Sequence, residues 1–216
     1  MTSAGGDATI APIRPSEGDW AEFLMLYRDT FAEWERESER RISAHTAAGR
    51  YRVHALSICG HGIGGFHVVD VLHEPPYAVL TFVAVAPRWR GRGLGLRLVR
   101  DAVLRHREIP DAPTLLVEAK AAAARLYARG GFRPLALDYR IPHYDEPGTE
   151  TPMWLLADVS DPDTDSLDGS WLGAVVRQMF GDGYGLGDDD PRLTSQLARI
   201  PERVPLASAS KLISSG

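Results

Sequence analysis

Residues 88–100 read RWRGRGLGLRLVR. The first half of the stretch alternates arginine with glycine, and the second half opens an apolar-periodic run. Leu96, Val99 and Val103, with Leu98 and Ala102, recur at three- and four-residue spacing and predict an amphipathic helix. The run TFVAVAP before it predicts a strand ending at Pro87. Arg90-Gly91-Arg92-Gly93-Leu94-Gly95 therefore falls at a strand-to-helix junction. A helix N-terminus offers unpaired N–H groups and the positive end of its dipole, which together seat a pyrophosphate. Glycines at 91, 93 and 95 let the backbone approach the anion, and Arg88, Arg90 and Arg92 add charge. The other reading is a tight strand–helix turn with incidental arginines.

Two nucleotide-binding loops are excluded. No Gly-Lys-Ser/Thr follows, so the loop is not a Walker A loop. The spacing is Gly-x-Gly-x-Gly after antiparallel strands, which is not the dinucleotide fingerprint of a parallel fold.

The bulk of the chain narrows the field further. With 44% hydrophobic and 25% charged residues, the 216 residues read as a globular protein of one large domain, or one domain with an appendage. A net charge of −5 argues against a general nucleic-acid binder, which needs a basic face. Lys120 and Lys211 are the only lysines, so arginine is the default cation here and its abundance alone says little. Cys59 is the only cysteine, which excludes an intrachain disulfide and a cysteine-based zinc site and points to a reducing cytoplasm. The N-terminus has no basic and apolar signal regions, and no apolar run reaches membrane-spanning length, so no membrane partner is expected.

Around the loop the pattern is β, α(α), β, β, β, α, β, α, β, β. A tail over 1–7 leads to a strand near ATIAPI, then one long or two short helices from Pro15-Ser16, which is read as the cap. Three antiparallel strands follow in YRVHALSI, GFHVVDVLHE and YAVLTFVAVAP, separated by Gly/Pro turns. After the loop helix come the buried strand TLLVEA, the helix AAAARLYARGGF stopped at Gly130-Gly131, and a hairpin from LALDYRIPHY to PMWLLADV. From 159 to 216 the composition changes: an acidic linker, a short helix SWLGAVVRQMF, a glycine-acid loop GDGYGLGDDDP, a further helical turn or two and a loose tail. The apolar positions of that extension (Trp171, Leu172, Val175, Val176, Met179, Phe180) must be buried against something.

These features resemble the GNAT superfamily of N-acetyltransferases. The family's acyl-CoA loop, Arg/Gln-x-x-Gly-x-Gly/Ala, is matched by Arg90, Gly93 and Gly95. A second block, Leu-Tyr then Gly-Phe, is matched by Leu126, Tyr127, Gly131 and Phe132, and the element order over 8–158 also fits. The resemblance implies an α/β fold with a mixed, mostly antiparallel sheet of about seven strands flanked by helices, and acetyl-CoA as co-substrate with no metal. It implies that Val83 and Val85 pair with the pantetheine arm, that the backbone from Arg90 through Gly91, Arg92, Gly93 and Leu94 to Gly95 cradles the pyrophosphate, and that Tyr127 protonates the departing thiolate. A tyrosine packing the last turn of its helix is the alternative for Tyr127.

Many relatives place a general base on the fourth strand, where this chain has only Thr81. Glu118 is the nearest carboxylate in sequence; Asp70, His67 and His73 could act through water. Lys120 stands where relatives often have asparagine, as a contact to coenzyme A or the acceptor or as a solvated helix-start residue. The hairpin brings Tyr139, His143, Tyr144, Asp145 and Glu146 toward a cationic or polar acceptor, or forms a plain surface turn. Of these, His67, Asp70, His143 and Tyr144 are the expected acceptor-binding set.

Other patterns are set aside. DPDTDSLDG lacks the glycine and the glutamate of a calcium loop. His106 and Asp111 share the His-x4-Asp spacing of another acyltransferase class without its context. The expected activity is acetylation of a small polar amine by direct attack in a ternary complex. The rival readings are a protein or peptide acceptor, a biosynthetic transferase with another donor such as aminoacyl-tRNA, and an acyl-CoA sensor without turnover. A homodimer contact is one role for the extension.

Overall fold

The computed structural model describes residues 8–109, 112–142, 150–161 and 163–208. The chain divides into two compact units, Met1–Leu72 with Ala78–Asp111, and His73–Tyr77 with Ala112–Gly216.

In the first unit the strands β1 (Ala8–Pro12), β2 (Tyr51–Ile58), β3 (Gly62–His73) and β4 (Pro76–Val85) lie side by side in chain order. β1 runs antiparallel to β2 and β2 to β3, with a bulge at Leu56/Ser57. Helices α1 (Asp19–Thr30) and α2 (Glu39–Ala47) follow β1, and α3 (Leu94–Arg107) follows β4. One long or two short helices were expected after Pro15; the chain makes two, with a single 3-10 turn at Glu33–Glu35 between them. The Pro15-Ser16 cap is corrected. Gly18 is the N-cap of α1 and no side chain caps it. Ser38 does cap α2, accepting from Arg41 N at 3.2 Å.

Alternation along β4 sorts its side chains. Ala78, Leu80, Phe82 and Ala84 are buried, whereas Val79, Thr81, Val83 and Val85 are half-buried. One core is aromatic. Phe23, Tyr27 and Phe31 of the α1 region meet Phe66 and Phe82 at centroid distances of 4.8 to 6.4 Å. Edge-to-face geometry between Phe23 and Phe66 (85°) adds directional attraction to the apolar burial. A second cluster joins Leu56, Ile58 and Leu98, with Val83, Val85 and Leu94 packed against it. β1 would be an open edge, but arginines of α3 occupy its carbonyls. Arg97 donates to Ala8 O, and Arg105 Nη2 donates to Ile10 O at 3.1 Å.

In the second unit β8 (Glu150–Asp158) organises the strands. Its C-terminal half pairs with β5 (Leu115–Ala119) and β6 (Arg133–Pro134), its N-terminal half with β7 (Tyr139–Pro142), all antiparallel. Helix α4 (Ala121–Gly130) follows β5. The extension carries α5 (Gly169–Tyr184), α6 (Pro191–Ala198) and the antiparallel pair β9 (Ser166–Asp168) and β10 (Arg203–Pro205). β6, β9 and β10 were not predicted, and α5 runs through residues read as loop. Leu172, Val175, Val176, Met179 and Phe180 are buried, and α5 packs on β7 and α6. Gln196, fully buried, works as a splice: its amide donates to Asp138 O at 3.2 Å and accepts from Arg140 N at 2.9 Å. Both units thus bear the mostly antiparallel strands flanked by helices that the sequence predicts.

Candidate active site

The arginine–glycine loop folds as its position demands. After β4 the chain makes a 3-10 turn, Pro87–Trp89, and reaches Gly91 at φ +75° and Gly93 at φ +76°. Nothing lies within 4 Å of a Cβ built at either position, so the left-handed backbone, not lack of space, requires glycine. Gly93 is the N-cap of α3 and no side chain caps the helix. Its carbonyl accepts from Arg97 N at 3.1 Å, while the leading N–H groups of the helix are left for an anion. Arg90 Nε donates to Val85 O at 3.0 Å, pinning the loop to β4. Arg88 Nη2 donates to His61 O at 3.1 Å, and the Arg92 guanidinium lies 4.8 Å from the Trp89 ring centroid. The loop is therefore a preshaped, positively charged turn of the kind that seats an anion at a helix N-terminus.

The second block is equally local. α4 ends at Gly131, whose φ of +115° forms the C-cap, and Phe132 N returns to Tyr127 O at 3.2 Å. That turn sets Tyr127 edge-on to Phe132, 6.0 Å between centroids. Burial pushes the Tyr127 phenol up to about 12, so it keeps its proton at neutral pH. Both blocks lie in the segment 50–134 that matches the family model described as the acetyltransferase (GNAT) domain.

The match places a GNAT acetyltransferase domain at residues 50–134.

Solved structures agree on the fold. A protein of Bacteroides thetaiotaomicron assigned to the GNAT family superposes with a TM-score of 0.64 at 19% identity, covering 83% of this chain and 99% of that one. Arabidopsis thaliana NAA60 in complex with acetyl-CoA gives 0.56 at 19% identity, covering 70% and 98%. The ribosomal-protein-S18-alanine N-acetyltransferase of Escherichia coli gives 0.55 at 23% identity, covering 73% and 99%. No curated protein sequence matches significantly.

In the second unit, Glu118 does not stand alone. Tyr139 donates its hydroxyl to Glu118 Oε1, and Tyr184 donates to Oε2 at 3.2 Å. Burial raises the Glu118 pKa, against the opposing pull of the two phenol donors. Tyr139 is itself buried and its phenol is pushed well above the usual value, by burial first and then by the Glu118 charge. Tyr139, expected to face an acceptor, therefore faces Glu118.

The other expected site residues of the GNAT domain have different surroundings. Asp70 is held bidentately by Arg50, at 2.8 Å to each oxygen. His67 is 1% exposed and its Nε2 lies 2.9 Å from Asp101 Oδ2, which Arg105 Nε also meets at 2.8 Å. Burial works against the Asp101 charge, but the His67 and Arg105 hydrogen bonds together bring its pKa down, so it accepts the His67 Nε2–H. The cross-strand neighbour His54 stacks on His67 at 4.8 Å, and burial lowers its pKa to about 4. His73 is exposed at the end of β3, and Thr81 is half-buried, bonded to Val79 O at 3.3 Å. Lys120 is the N-cap residue of α4, and Cys59 is exposed. His143, Tyr144, Asp145 and Glu146 lie outside the described residues, as does Asp111.

Among the described residues no group of three or more His, Cys, Asp or Glu is placed to hold a metal, and no helix is long and apolar enough to cross a membrane. The sequence reading missed Tyr184, His54 and Asp101. For Tyr184 there was a signal: Leu172, Val176, Phe180 and Tyr184 recur every four residues, one stripe of a continuous helix.

Proposed function

We propose that the protein transfers an acetyl group from acetyl-CoA to the amine of a small polar molecule, by direct attack in a ternary complex. The observation that carries this reading is the uncapped start of α3, held at Gly91 and Gly93 in the left-handed region and flanked by Arg88, Arg90 and Arg92. The backbone from Arg90 to Gly95 holds the pyrophosphate, and Val83 and Val85 pair with the pantetheine arm. Acetyl-CoA supplies the activated thioester. The chain's residues manage the protons.

An alkylammonium, with a pKa of about 10, must lose a proton before its nitrogen can attack. Glu118 takes that proton; its raised pKa makes it a stronger base than an exposed glutamate. The nitrogen then bonds to the carbonyl carbon and releases its second proton to solvent as the amide forms, the carbon–sulfur bond breaks, and Tyr127 gives its proton to the thiolate and regains one from solvent. His143 and Tyr144 are the proposed acceptor contacts, since Asp70 and His67 are buried and already paired with Arg50 and Asp101, and the cytoplasm is the proposed location.

A protein N-terminus is the second reading, supported by the S18-alanine acetyltransferase among the similar folds. One panel separates the readings. Acetyl-CoA binding is measured by calorimetry, then coenzyme A release with spermidine, polar amino acids, an alanine-initiated peptide and charged tRNA. Binding plus turnover on a small amine is expected. Turnover on the peptide alone selects the protein acceptor, and on charged tRNA the biosynthetic transferase. Binding without turnover identifies a sensor, and absence of binding rejects the cradle.

A further inference from the structure

The C-terminal segment reaches the carboxylate proposed as the base. α5 is sixteen residues long and ends at Tyr184, closed by Gly185 at φ +68°. Its stripe Leu172, Val176 and Phe180 is buried, which fixes the rotation of the helix and therefore the side on which Tyr184 emerges. Phe180 is the wedge. Its ring lies 5.5 Å from Tyr184, edge-on at 73°, and 6.1 Å from Tyr139. The two phenols consequently approach Glu118 from different elements and claim different oxygens, Tyr139 of β7 on Oε1 and Tyr184 of α5 on Oε2.

The two donors are not equivalent. Tyr139 is 1% exposed and locked in the core, while Tyr184 and Glu118 are each partly accessible. A carboxylate that must accept a proton from a bound amine needs a fixed orientation, and hydroxyl donors on both of its oxygens supply that. The donor from α5 is the less enclosed of the two, so it is the one that can be altered without opening the core. The titratable groups facing this carboxylate are the two phenols, with Tyr77 acting on Tyr139. Neither phenol brings a positive charge, so burial, which favours the neutral acid, is opposed among these groups by the two hydrogen bonds.

We propose that Tyr184 is a positioning residue of the acyl-transfer site, orienting Glu118 and setting the pH at which it becomes a base. This rests on the reading of Glu118 as the group that accepts the amine proton. The step balances: an ammonium N–H bond breaks and its proton moves to Glu118, the freed electron pair forms the C–N bond as the C–S bond breaks, the thiolate leaves with a proton from Tyr127, and the nitrogen's second proton goes to solvent. The extension beyond residue 158 thereby becomes part of the catalytic apparatus.

The test is the pH profile of turnover, with acetyl-CoA and whichever of spermidine or the alanine-initiated peptide supports coenzyme A release. Tyr184→Phe removes a donor to the ionised carboxylate. The acid limb of kcat should move up by about one pH unit, the size expected for one hydrogen bond to a charged group. Turnover on the acid side then falls roughly tenfold, with KM for acetyl-CoA unchanged. Tyr184→3-fluorotyrosine, an isosteric and stronger donor, should move the limb down, and it keeps the test valid if the phenylalanine variant fails to fold.

Glu118→Gln separates the two ideas. If it retains wild-type turnover and profile, the base reading fails and this inference with it. If it loses turnover at least a hundredfold while both Tyr184 variants keep the wild-type limb, Glu118 stands and the role of Tyr184 is overturned.

Discussion

Arg90 and Val85 are joined by a 3.0 Å hydrogen bond from the guanidinium Nε to the backbone carbonyl. The bond ties the loop that starts α3 to the last residue of β4, so strand and cradle move as one piece. Removing it in Arg90→Ala both loosens the loop and deletes a charge. Acetyl-CoA affinity should fall roughly tenfold, about 1.4 kcal/mol, in a calorimetric titration. An unchanged Kd would place the phosphates away from this residue.

Gly93 is the sharper probe of the same cradle. At φ +76° any side chain is strained, by about 1–2 kcal/mol. Gly93→Ala should lower the unfolding free energy by that amount, read from urea denaturation, and retain weakened binding. Gly93→Asp adds a carboxylate against the pyrophosphate and should abolish binding in the same titration, a difference that strain alone cannot produce.

Tyr127→Phe is expected to leave acetyl-CoA binding intact and to reduce turnover by roughly 10²–10⁴-fold, the range of general acid catalysis. Equal turnover would remove Tyr127 from the mechanism. A thermodynamic mark should accompany it. The folded phenol titrates at about 12 against about 10 unfolded, so above pH 10 the unfolded chain holds fewer protons. Stability contributed by the neutral phenol is present below pH 10 and is lost as pH rises toward 12. Urea midpoints across that window should fall less steeply for Tyr127→Phe than for wild type.

His54 gives the opposite sign. Burial holds its pKa near 4 against about 6.5 in the unfolded chain, so between those values the unfolded state binds more protons. Stability is full above pH 6.5 and declines as pH falls toward 4. In His54→Phe the urea midpoint should change less between pH 7 and pH 4.5, and a slope equal to wild type would assign the acid sensitivity elsewhere.

The extension should be integral to folding. Leu172→Ala removes a fully buried side chain of α5 and should cost about 2–5 kcal/mol. A single cooperative transition shifted by that amount is expected. A separate early transition, with the rest unfolding at the wild-type midpoint, would make the extension an independent piece.

Much of this was legible in the linear sequence because it is local. The φ-permissive glycines, the strand ending at Pro87 and the period of Leu98, Val99, Ala102 and Val103 are properties of neighbouring residues, and they place the cradle without tertiary information. The Gly131 stop and the Phe132 return that orient Tyr127 are likewise local. The two-residue β6 and three-residue β9 and β10 escaped because strands this short exist only through the partners they pair with. α5 was cut short at Gly181 and Gly183 because glycine weakens a helix, but the buried face from Leu172 to Phe180 outweighs that penalty.

Sequence by itself determined the strand–loop–helix turn at Gly91 and Gly93 and the Gly131 turn that sets Tyr127 against Phe132, since each depends on contacts within a few residues along the chain. Only the tertiary structure decided what Glu118, Asp70 and His67 experience. Tyr139 and Tyr184 stand 21 and 66 positions from Glu118, Arg50 stands 20 from Asp70, and Asp101 stands 34 from His67. A side chain's charge state is set by burial and by whichever partners folding brings beside it, and those separations follow no period that a sequence displays.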